Sequence, residues 1–350
     1  MANASRRAQT STPEVGKRQT PLMRVLRRVV RQSPVLDRAG SALVRTLRPV
    51  VGRRLAVAGA VMPPPFFVVG SGRSGNTLVR RILNRIPGVH IPPETFVLGR
   101  AIQLYERNSH QPWPVLVQLV LSTFEYHPGF EDFGIGLRPL YGELRSAPRS
   151  ERSLAHILDA LYRYHGGATG VTVRRWGDKT PLNTYYLDRI QRVFSSARFI
   201  HVLRDGIDVA HSYVRSGLMS DLRDASTRWV TSVRAVARFA RRHPDAVLEI
   251  RYEALVTDPE GTTRRMCAFL GERFDASMLE VPDRRLGDVE QHAHHARVLQ
   301  PVDRGRIGAG RRAMSVEDGR RWSQAFQDQL ERCGYPTPEA GVRGTPGTTK

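Results

Sequence analysis

The chain has 350 residues, of which 40% are hydrophobic and 25% charged, and a formal net charge of +21. This composition is typical of a folded globular protein and excludes a low-complexity or collagen-like chain. With two cysteines we expect no disulfide scaffold and a reduced, cytoplasmic setting. No apolar run approaches the roughly 18–20 residues that span a bilayer, and we expect no signal peptide.

The positive charge is concentrated at the N-terminus. Residues 1–60 contain 13 Arg/Lys and 2 Asp/Glu. From Pro21 to about Val61, apolar and basic residues alternate at helical spacing, which is typical of a segment on an anionic membrane surface or of a helical lid on the next domain. We therefore predict a basic, partly disordered and partly amphipathic extension over 1–62, a folded domain over 63–335, and a disordered tail over 336–350.

Three apolar segments are predicted to be strands, each followed by a helix. They are FFVVG (66–70) with helix 77–86, ARFIHVL (197–203) with helix 207–216, and AVLEIRY (246–252) with helix 259–270. Residues 100–170 are predicted to be mostly helical. Strands that alternate with helices indicate an α/β fold with a P-loop-like parallel sheet flanked by helices, and ligands at the carboxyl ends of the strands.

The turn after the first strand, GSGRSGNT (70–77), follows the P-loop pattern except that Asn76 replaces the lysine. Its backbone amides can form an anion-binding nest at a helix N-terminus. The residues predicted to contact the anion are Arg73, Ser74, Gly75, Asn76 and Thr77. Because a P-loop kinase uses the missing lysine on the phosphates, nucleoside triphosphate chemistry is disfavoured. A small-molecule kinase using ATP and Mg²⁺ is the alternative.

The motif WGDKTP (176–181) contains Lys179, one of only three lysines among 54 basic residues. The other two, Lys17 and Lys350, lie in the polar ends of the chain. A compact ammonium fits beside a single oxygen atom where a wide, planar guanidinium does not. The alternatives for Lys179 are chance and a salt bridge with Asp178.

Four motifs occur in an order that resembles the PAPS-dependent sulfotransferases (PAPS is 3′-phosphoadenylyl sulfate), most closely the branch with bacterial and tyrosylprotein sulfotransferases. They are GSGRSGNTLVRRIL (70–83), PPETF (92–96), WGDKTP (176–181) and VLRDGIDVAHSY (202–213). The resemblance implies the sulfotransferase fold. It also implies transfer of a sulfuryl group from PAPS to an acceptor hydroxyl, with release of PAP (adenosine 3′,5′-bisphosphate) and no metal.

The resemblance also implies roles for the cofactor-binding residues. Arg73 stands at the 5′-phosphosulfate, Arg204 and Ser212 bind the 3′-phosphate, and Tyr252 contacts the adenine. A guanidinium suits phosphate binding because it can donate two parallel hydrogen bonds. The alternatives are an Arg204–Asp205 ion pair that caps the next helix, and ordinary core packing for Tyr252.

Three residues are implied in catalysis: Glu94, Lys179 and Arg73. Glu94 would be the general base on the acceptor hydroxyl, and Lys179 would stabilise the charge that grows on the bridging oxygen of the departing nucleotide. The alternative for Glu94 is a cap on a helix predicted over 95–107.

Near the C-terminus, LQPVDRGRIGAGRRAMS (299–315) resembles the loop that closes over the 3′-phosphate, with Gly310 as a departure from the pattern. The four arginines of this stretch are candidates for the phosphate contact, and Arg306 and Arg311 are the predicted ones. His292, His294 and His295 are not predicted to bind metal, because no acidic or cysteine ligand is spaced with them.

The acceptor stays open among a small molecule such as a phenol, a carbohydrate, a glycolipid and a peptide tyrosine. Peripheral contact with an anionic membrane is a further expectation from the basic extension. A third reading is a basic scaffold that binds nucleic acid or membrane through a degenerate nucleotide fold. The aromatic content of 7% and the location of the excess charge in the extension disfavour it, and we predict no nucleic-acid partner.

Overall fold

The computed structural model describes residues 55, 61–280, 304–315, 317–318 and 322–338. Most of the predicted extension, the three clustered histidines and the end of the predicted tail lie outside the described residues. Within the described ranges, no helix combines the length and the apolar character that crossing a membrane requires.

Five strands form one parallel sheet in the order β2-β3-β1-β4-β5. They are β1 (Phe66–Val69), β2 (Val89–His90), β3 (Arg175–Lys179), β4 (Arg198–Leu203) and β5 (Val247–Arg251). The predicted fold class and the strands β1, β4 and β5 are confirmed. β1 is central, and its residue Val68 lies opposite Lys179 on one side and Ile200 on the other.

Helices follow or precede each strand. They are α1 (Asn76–Leu83), α2 (Leu98–Asn108), α3 (Trp113–Glu125), α4 (Arg138–Leu144), α5 (Leu154–Ala168), α6 (Leu187–Val193), α7 (Gly206–Arg215), α8 (Leu222–Arg242), α9 (Tyr252–Thr257), α10 (Pro259–Leu270), α11 (Ala309–Ala313) and α12 (Gln324–Arg332). Short 3₁₀ turns cover Pro128–Phe133, Pro181–Tyr185, Pro244–Ala246, Ala276–Leu279 and Arg304–Arg306. The predicted helices after β1, β4 and β5 are confirmed, although the first ends at Leu83 rather than at residue 86.

The sheet is covered on both faces, as its central strand shows. Phe67 and Val69 of β1 pack in the cluster that contains α2, α3, α5 and α6. Phe66 and Val68 point to the other face, where they pack with α1 and α10. Burial on both faces explains why β1 reads as a continuous apolar run instead of an alternating one.

The sequence did not reveal that WGDK belongs to a strand. β3 is buried along its length although it contains arginine, aspartate and lysine. Its glycine has a packing reason, because a Cβ at Gly177 would lie 2.5 Å from the ring of Phe66 on β1. Close approach of the two strands therefore requires glycine at this position.

Candidate active site

The loop from β1 to α1 presents an uncapped helix N-terminus at the carboxyl edge of the sheet. Gly75, with φ of 100°, is the N-cap of α1 and offers no side chain, and the first turn of α1 holds no acidic residue. Arg73 adopts φ of 67°, a left-handed conformation uncommon for a residue with a side chain. The first amides of a helix lack intrahelical acceptors, so this loop is suited to bind an anion.

Buried polar atoms without a partner among the described residues surround the same loop. They include Oγ of Ser71, Oγ of Ser74 and Oδ1 of Asn76. A buried hydroxyl without a hydrogen bond is unfavourable, and this cluster therefore indicates a site for a polar ligand. Ser71 was missed at the sequence level, since a serine in a glycine-rich turn carries no distinctive signal.

Asn76 folds back onto the loop that it follows. Its amide nitrogen Nδ2 donates to the carbonyl oxygen of Ser71 at 2.9 Å. The side chain at the P-loop lysine position therefore closes the turn instead of reaching outward as a cation.

Arg73, Arg204 and Ser212, which sequence reasoning assigned to one cofactor, lie together in the structure. Nε of Arg73 donates to Oγ of Ser212 at 3.2 Å, and Nη1 of Arg204 donates to the carbonyl oxygen of Arg73 at 3.2 Å. The guanidinium of Arg204 stacks 4.2 Å above the centre of the Tyr252 ring. The same ring packs against Gly75, where a Cβ would lie 2.6 Å from it. These contacts join the phosphate loop, β4, α7 and α9.

A segment near the C-terminus, residues 304–315, is anchored beside Arg204 by one carboxylate. Asp208 accepts hydrogen bonds from the amides of Gly308 and Gly310, at 2.8 and 2.7 Å, and it also pairs with Nη2 of Arg204 at 3.4 Å. Glycine is required at 310, because a Cβ there would lie 2.7 Å from the Asp208 backbone. The departure noted in the sequence therefore has a packing reason.

The two predicted arginines of this segment differ in what they contact. The carbonyl oxygen of Arg306 accepts from Arg204 at 2.8 Å. The guanidinium of Arg311 donates to Asp205 and to the carbonyl oxygen of Pro336. Arg311 thus has a structural ion pair, and its phosphate contact stays a prediction. Asp205 caps α7 by accepting from the Ile207 amide at 2.9 Å, while Arg204 itself pairs with Asp208, not with Asp205.

The second part of the site is an ion pair between Lys179 and Glu94. Lys179 is the last residue of β3 and is 1% exposed, and its ammonium donates to Oε1 of the partly buried Glu94. Glu94 does not cap a helix, because α2 begins at Leu98 with Val97 as its N-cap. The alternative that Lys179 pairs with Asp178 is also wrong.

Asp178 instead holds the turn that carries Glu94. Its fully buried carboxylate accepts from Oγ1 of Thr95 at 2.8 Å, from the Tyr162 hydroxyl at 2.5 Å and from Nδ2 of Asn183 at 2.9 Å. Thr95 is fixed further by Oγ1 of Thr180, which accepts from its amide at 2.9 Å. Burial raises the pKa of Asp178, while the hydrogen bonds from Tyr162 and Thr95 act against that rise. No sequence pattern predicted this network, because its members come from distant elements.

The two parts of the site meet at the edge between β1 and β3. Lys179 lies opposite Val68, two residues before the phosphate loop. Behind it, the amide of Gly70 donates to Oγ1 of Thr184 at 2.9 Å, which ties the start of the loop to the turn after β3. A cationic side chain, a carboxylate and an anion-binding loop therefore share one edge of the sheet.

The profile of the Sulfotransferase family matches residues 64–276, more than half of the chain. The chain belongs to this family. It is 23% identical over 225 residues to protein-tyrosine sulfotransferase 1 of Danio rerio, covering 62% of this chain and 55% of that protein. It is 26% identical over 267 residues to omega-hydroxy-beta-dihydromenaquinone-9 sulfotransferase of Mycobacterium tuberculosis, covering 63% and 66%. The matched region thus spans about half to two thirds of the length of these relatives.

Among solved structures, the chain is similar to the sulfotransferase domain of the Synechococcus PCC 7002 olefin synthase. The TM-score is 0.58 at 22% identity, covering 79% of this chain and 96% of that one. The sulfotransferase domain from the curacin biosynthetic pathway gives a TM-score of 0.54 at 19% identity, covering 79% and 99%. These likenesses establish the fold.

Proposed function

We propose that the chain transfers a sulfuryl group from PAPS to an acceptor hydroxyl and releases PAP. The observation that carries the proposal is the group of buried polar atoms without partners at the anion-binding loop, next to the Lys179–Glu94 pair. Membership of the Sulfotransferase family supports the reaction class. The relatives compared above are named for acceptors that carry a hydroxyl, a protein tyrosine and an omega-hydroxylated dihydromenaquinone.

The loop side chains fit a phosphosulfate. The backbone amides, the hydroxyls of Ser71 and Ser74 and the side chain of Thr77 would surround it, with Arg73 as the nearby cation. Nε of Arg204 is buried and has no partner among the described residues, and this N–H fits a second, separate phosphate. Ser212 would donate to the same phosphate, and the adenine would pack near Tyr252.

In the proposed reaction the acceptor oxygen forms a bond to sulfur as the bond from sulfur to the bridging phosphate oxygen breaks. Glu94 takes the proton of the acceptor hydroxyl, and the electron pair of the broken bond leaves on the bridging oxygen. Lys179 stabilises that growing negative charge. An ammonium has three N–H donors, so Lys179 can keep its contact with Glu94 while another N–H points to the bridging oxygen.

The kinase alternative is disfavoured by the conformation of Asn76. A kinase needs a cation at this position to contact the transferred phosphoryl group, and here the side chain is bonded inside the loop. The cytoplasmic location, the contact of the extension with an anionic membrane and the domain boundaries stay predictions.

The test is thermal unfolding of the purified chain with PAP, with AMP and with ATP plus Mg²⁺. A ligand that binds only the folded state raises the melting temperature in a concentration-dependent way. We expect a rise with PAP and none with AMP, because AMP lacks the 3′-phosphate that Arg204 and Ser212 would bind. A rise with ATP and Mg²⁺ alone would instead support the kinase.

A further inference from the structure

The hydroxyl of Tyr213, a residue in the last turn of α7, lies against the phosphate loop. A Cβ at Gly72 would be 2.4 Å from the hydroxyl oxygen of Tyr213 and 3.2 Å from the ring carbon that carries it. Contacts this short are not formed by real Cβ atoms, so the space that the hydroxyl occupies depends on glycine at position 72. The phenol of α7 and the second glycine of the loop are therefore fitted to each other.

The ring of Tyr213 is fixed by its surroundings. It is 5% exposed and packs in the cluster that also contains Leu222 and Trp229 of α8. The guanidinium of Arg228 lies 5.8 Å from the ring centre, within the range of a cation–π contact. The backbone is held as well, because the carbonyl oxygen of Tyr213 accepts from the amide of Leu218 at 3.2 Å. The hydroxyl therefore has a defined position at the loop.

This hydroxyl has no hydrogen-bond partner among the residues that the structure describes. A tyrosine with a buried ring usually has a partner for its O–H. Ser71 and Ser74 lie on either side of Gly72, and their hydroxyls are likewise without a partner within the described ranges. Three hydroxyls thus lie at one loop, and a ligand with several oxygen acceptors would satisfy them.

Tyr213 and its neighbour Ser212 reach different parts of the loop. Oγ of Ser212 accepts from Nε of Arg73, whereas the hydroxyl of Tyr213 lies at Gly72. Successive residues of an α-helix point about 100° apart, which explains this division. With Ser212 assigned to the 3′-phosphate, the hydroxyl of Tyr213 is available to another part of the ligand.

The position of Gly72 along the loop indicates which part that is. The loop starts at Gly70, whose amide is bonded to Thr184 in the turn after β3, the strand that ends with Lys179. It leads to the N-terminus of α1, whose amides would hold the 5′-phosphate. Gly72 lies between these two ends, where the group that joins the 5′-phosphate to the acceptor would be transferred.

We propose that the hydroxyl of Tyr213 donates a hydrogen bond to the sulfuryl group of bound PAPS and orients it for attack by the acceptor. This inference rests on the proposed function and adds a residue that touches the transferred group. Tyr213 keeps its proton in the reaction, because it donates to a sulfuryl oxygen while the acceptor proton goes to Glu94. A fixed donor limits the rotation of the sulfuryl group and so favours in-line geometry.

The experiment measures the binding of PAP and of PAPS, without an acceptor, to the wild-type protein and to Tyr213→Phe by isothermal titration calorimetry. PAP lacks the sulfuryl group, so its Kd should be unchanged. The Kd for PAPS should rise roughly tenfold, because a hydrogen bond to a charged group is lost. With an acceptor that the wild-type protein uses, kcat at saturating PAPS should fall as well, since the sulfuryl group loses its orientation.

Tyr141→Phe is the matched control. It also removes a tyrosine hydroxyl that has no partner in the described part of the chain, but Tyr141 lies on α4, which packs against α3 and α5. Both Kd values and kcat should equal those of the wild-type protein. A loss like that of Tyr213→Phe would mean that the effect is not specific to the loop, and it would overturn the proposal.

The remaining outcomes separate a contact with the sulfuryl group from other roles. Phenylalanine keeps the buried ring, so the melting temperature of Tyr213→Phe should be unchanged, and a fall would indicate a structural role instead. An equal rise in both Kd values would indicate a phosphate contact, and no change in either would remove the contact altogether. Each of these three results would overturn the proposal. If the wild-type protein binds PAPS but transfers to no hydroxyl, the proposed function alone fails, and the ratio of the two Kd values still tests Tyr213.

Discussion

The ammonium of Lys179 and the carboxylate of Glu94 form an ion pair that joins the end of β3 to the turn after β2. The proposed base and the group proposed to stabilise the leaving oxygen are therefore in direct contact. Each holds the other in place, and the most informative substitutions change one of them while keeping its charge or its shape.

Lys179→Arg should retain PAP binding and lower turnover. The wider guanidinium keeps the charge, but it does not fit the buried site beside one oxygen atom, where Lys179 is 1% exposed. We expect kcat to fall roughly 10²–10³-fold, the range seen when one transition-state donor is lost. PAP titration of the same variant is the control, and unchanged turnover would remove Lys179 from the mechanism.

Glu94→Gln should preserve the shape of the pair and remove the base. Loss of a general base typically costs roughly 10²–10⁴-fold in rate, so kcat should fall in that range with little change in PAP affinity. The measurement is the initial rate of sulfuryl transfer at saturating PAPS across a pH series. A variant with wild-type rates would mean that another group accepts the proton.

Arg204→Lys and Ser212→Ala should weaken the binding of PAP. Lysine cannot place an N–H at the position of the Arg204 Nε while keeping the contacts with Asp208 and the Arg306 carbonyl oxygen, and we expect roughly a tenfold or larger rise in the Kd for PAP. Arg311→Ala is the informative comparison, because its side chain pairs with Asp205. We expect it to lower the melting temperature, and a matching loss of PAP affinity would support its predicted phosphate contact.

Gly310→Ala should destabilise the segment 304–315. The added Cβ would collide with the Asp208 backbone. The collision would displace the hydrogen bond that the amide of residue 310 donates to the Asp208 carboxylate. We expect a loss of about 1–3 kcal/mol in the free energy of unfolding. Gly142→Ala is the control, since nothing lies within 4 Å of its added Cβ in α4. Denaturant unfolding measures the free energy of unfolding of both variants. Equal values for Gly310→Ala and Gly142→Ala would argue against close packing at Gly310.

Cys267 should resist alkylation at pH 8 in the folded protein. Burial raises the pKa of its thiol from 9.0 to about 11, and the thiolate is the reactive form. Between pH 9 and about pH 11 the Cys267 thiol is deprotonated in the unfolded chain and still protonated in the folded chain. Deprotonation of Cys267 therefore makes the free energy of unfolding fall as the pH rises through this range. Iodoacetamide labelling with and without denaturant measures the protection, and Cys267→Ala should reduce the pH slope.

The apolar strands and the phosphate loop were predictable because their signals are local. β1, β4 and β5 are continuous apolar runs followed by helices, and the loop has a fixed glycine spacing. β3 was missed because its buried polar residues are hydrogen-bonded to residues that are distant in the sequence. Asp178, for example, accepts hydrogen bonds from Thr95 and Tyr162. Helix α8 was also missed, since its many arginines obscure the buried stripe that contains Trp229 and Val236.

The sequence predicted which residues belong to the site, but it did not predict which of them contact one another. The residues Glu94, Lys179, Arg204 and Ser212 came from motifs, but nothing in those motifs specified that Lys179 contacts Glu94 or that Arg73 bonds to Ser212. Such contacts depend on how loops from separate strands meet at one edge.

The central position of β1 also has a consequence for how the chain folds. Phe66 pairs with Gly177 and with Arg198, both on the order of a hundred residues later in the chain. During synthesis from the N-terminus, the apolar FFVV segment therefore emerges long before either neighbouring strand exists. Pairings so distant in sequence form slowly, and an unpaired apolar strand is prone to aggregation. The strand that anchors the phosphate loop is thus also an unpaired apolar segment while the chain is incomplete, and covering it by a chaperone would limit aggregation.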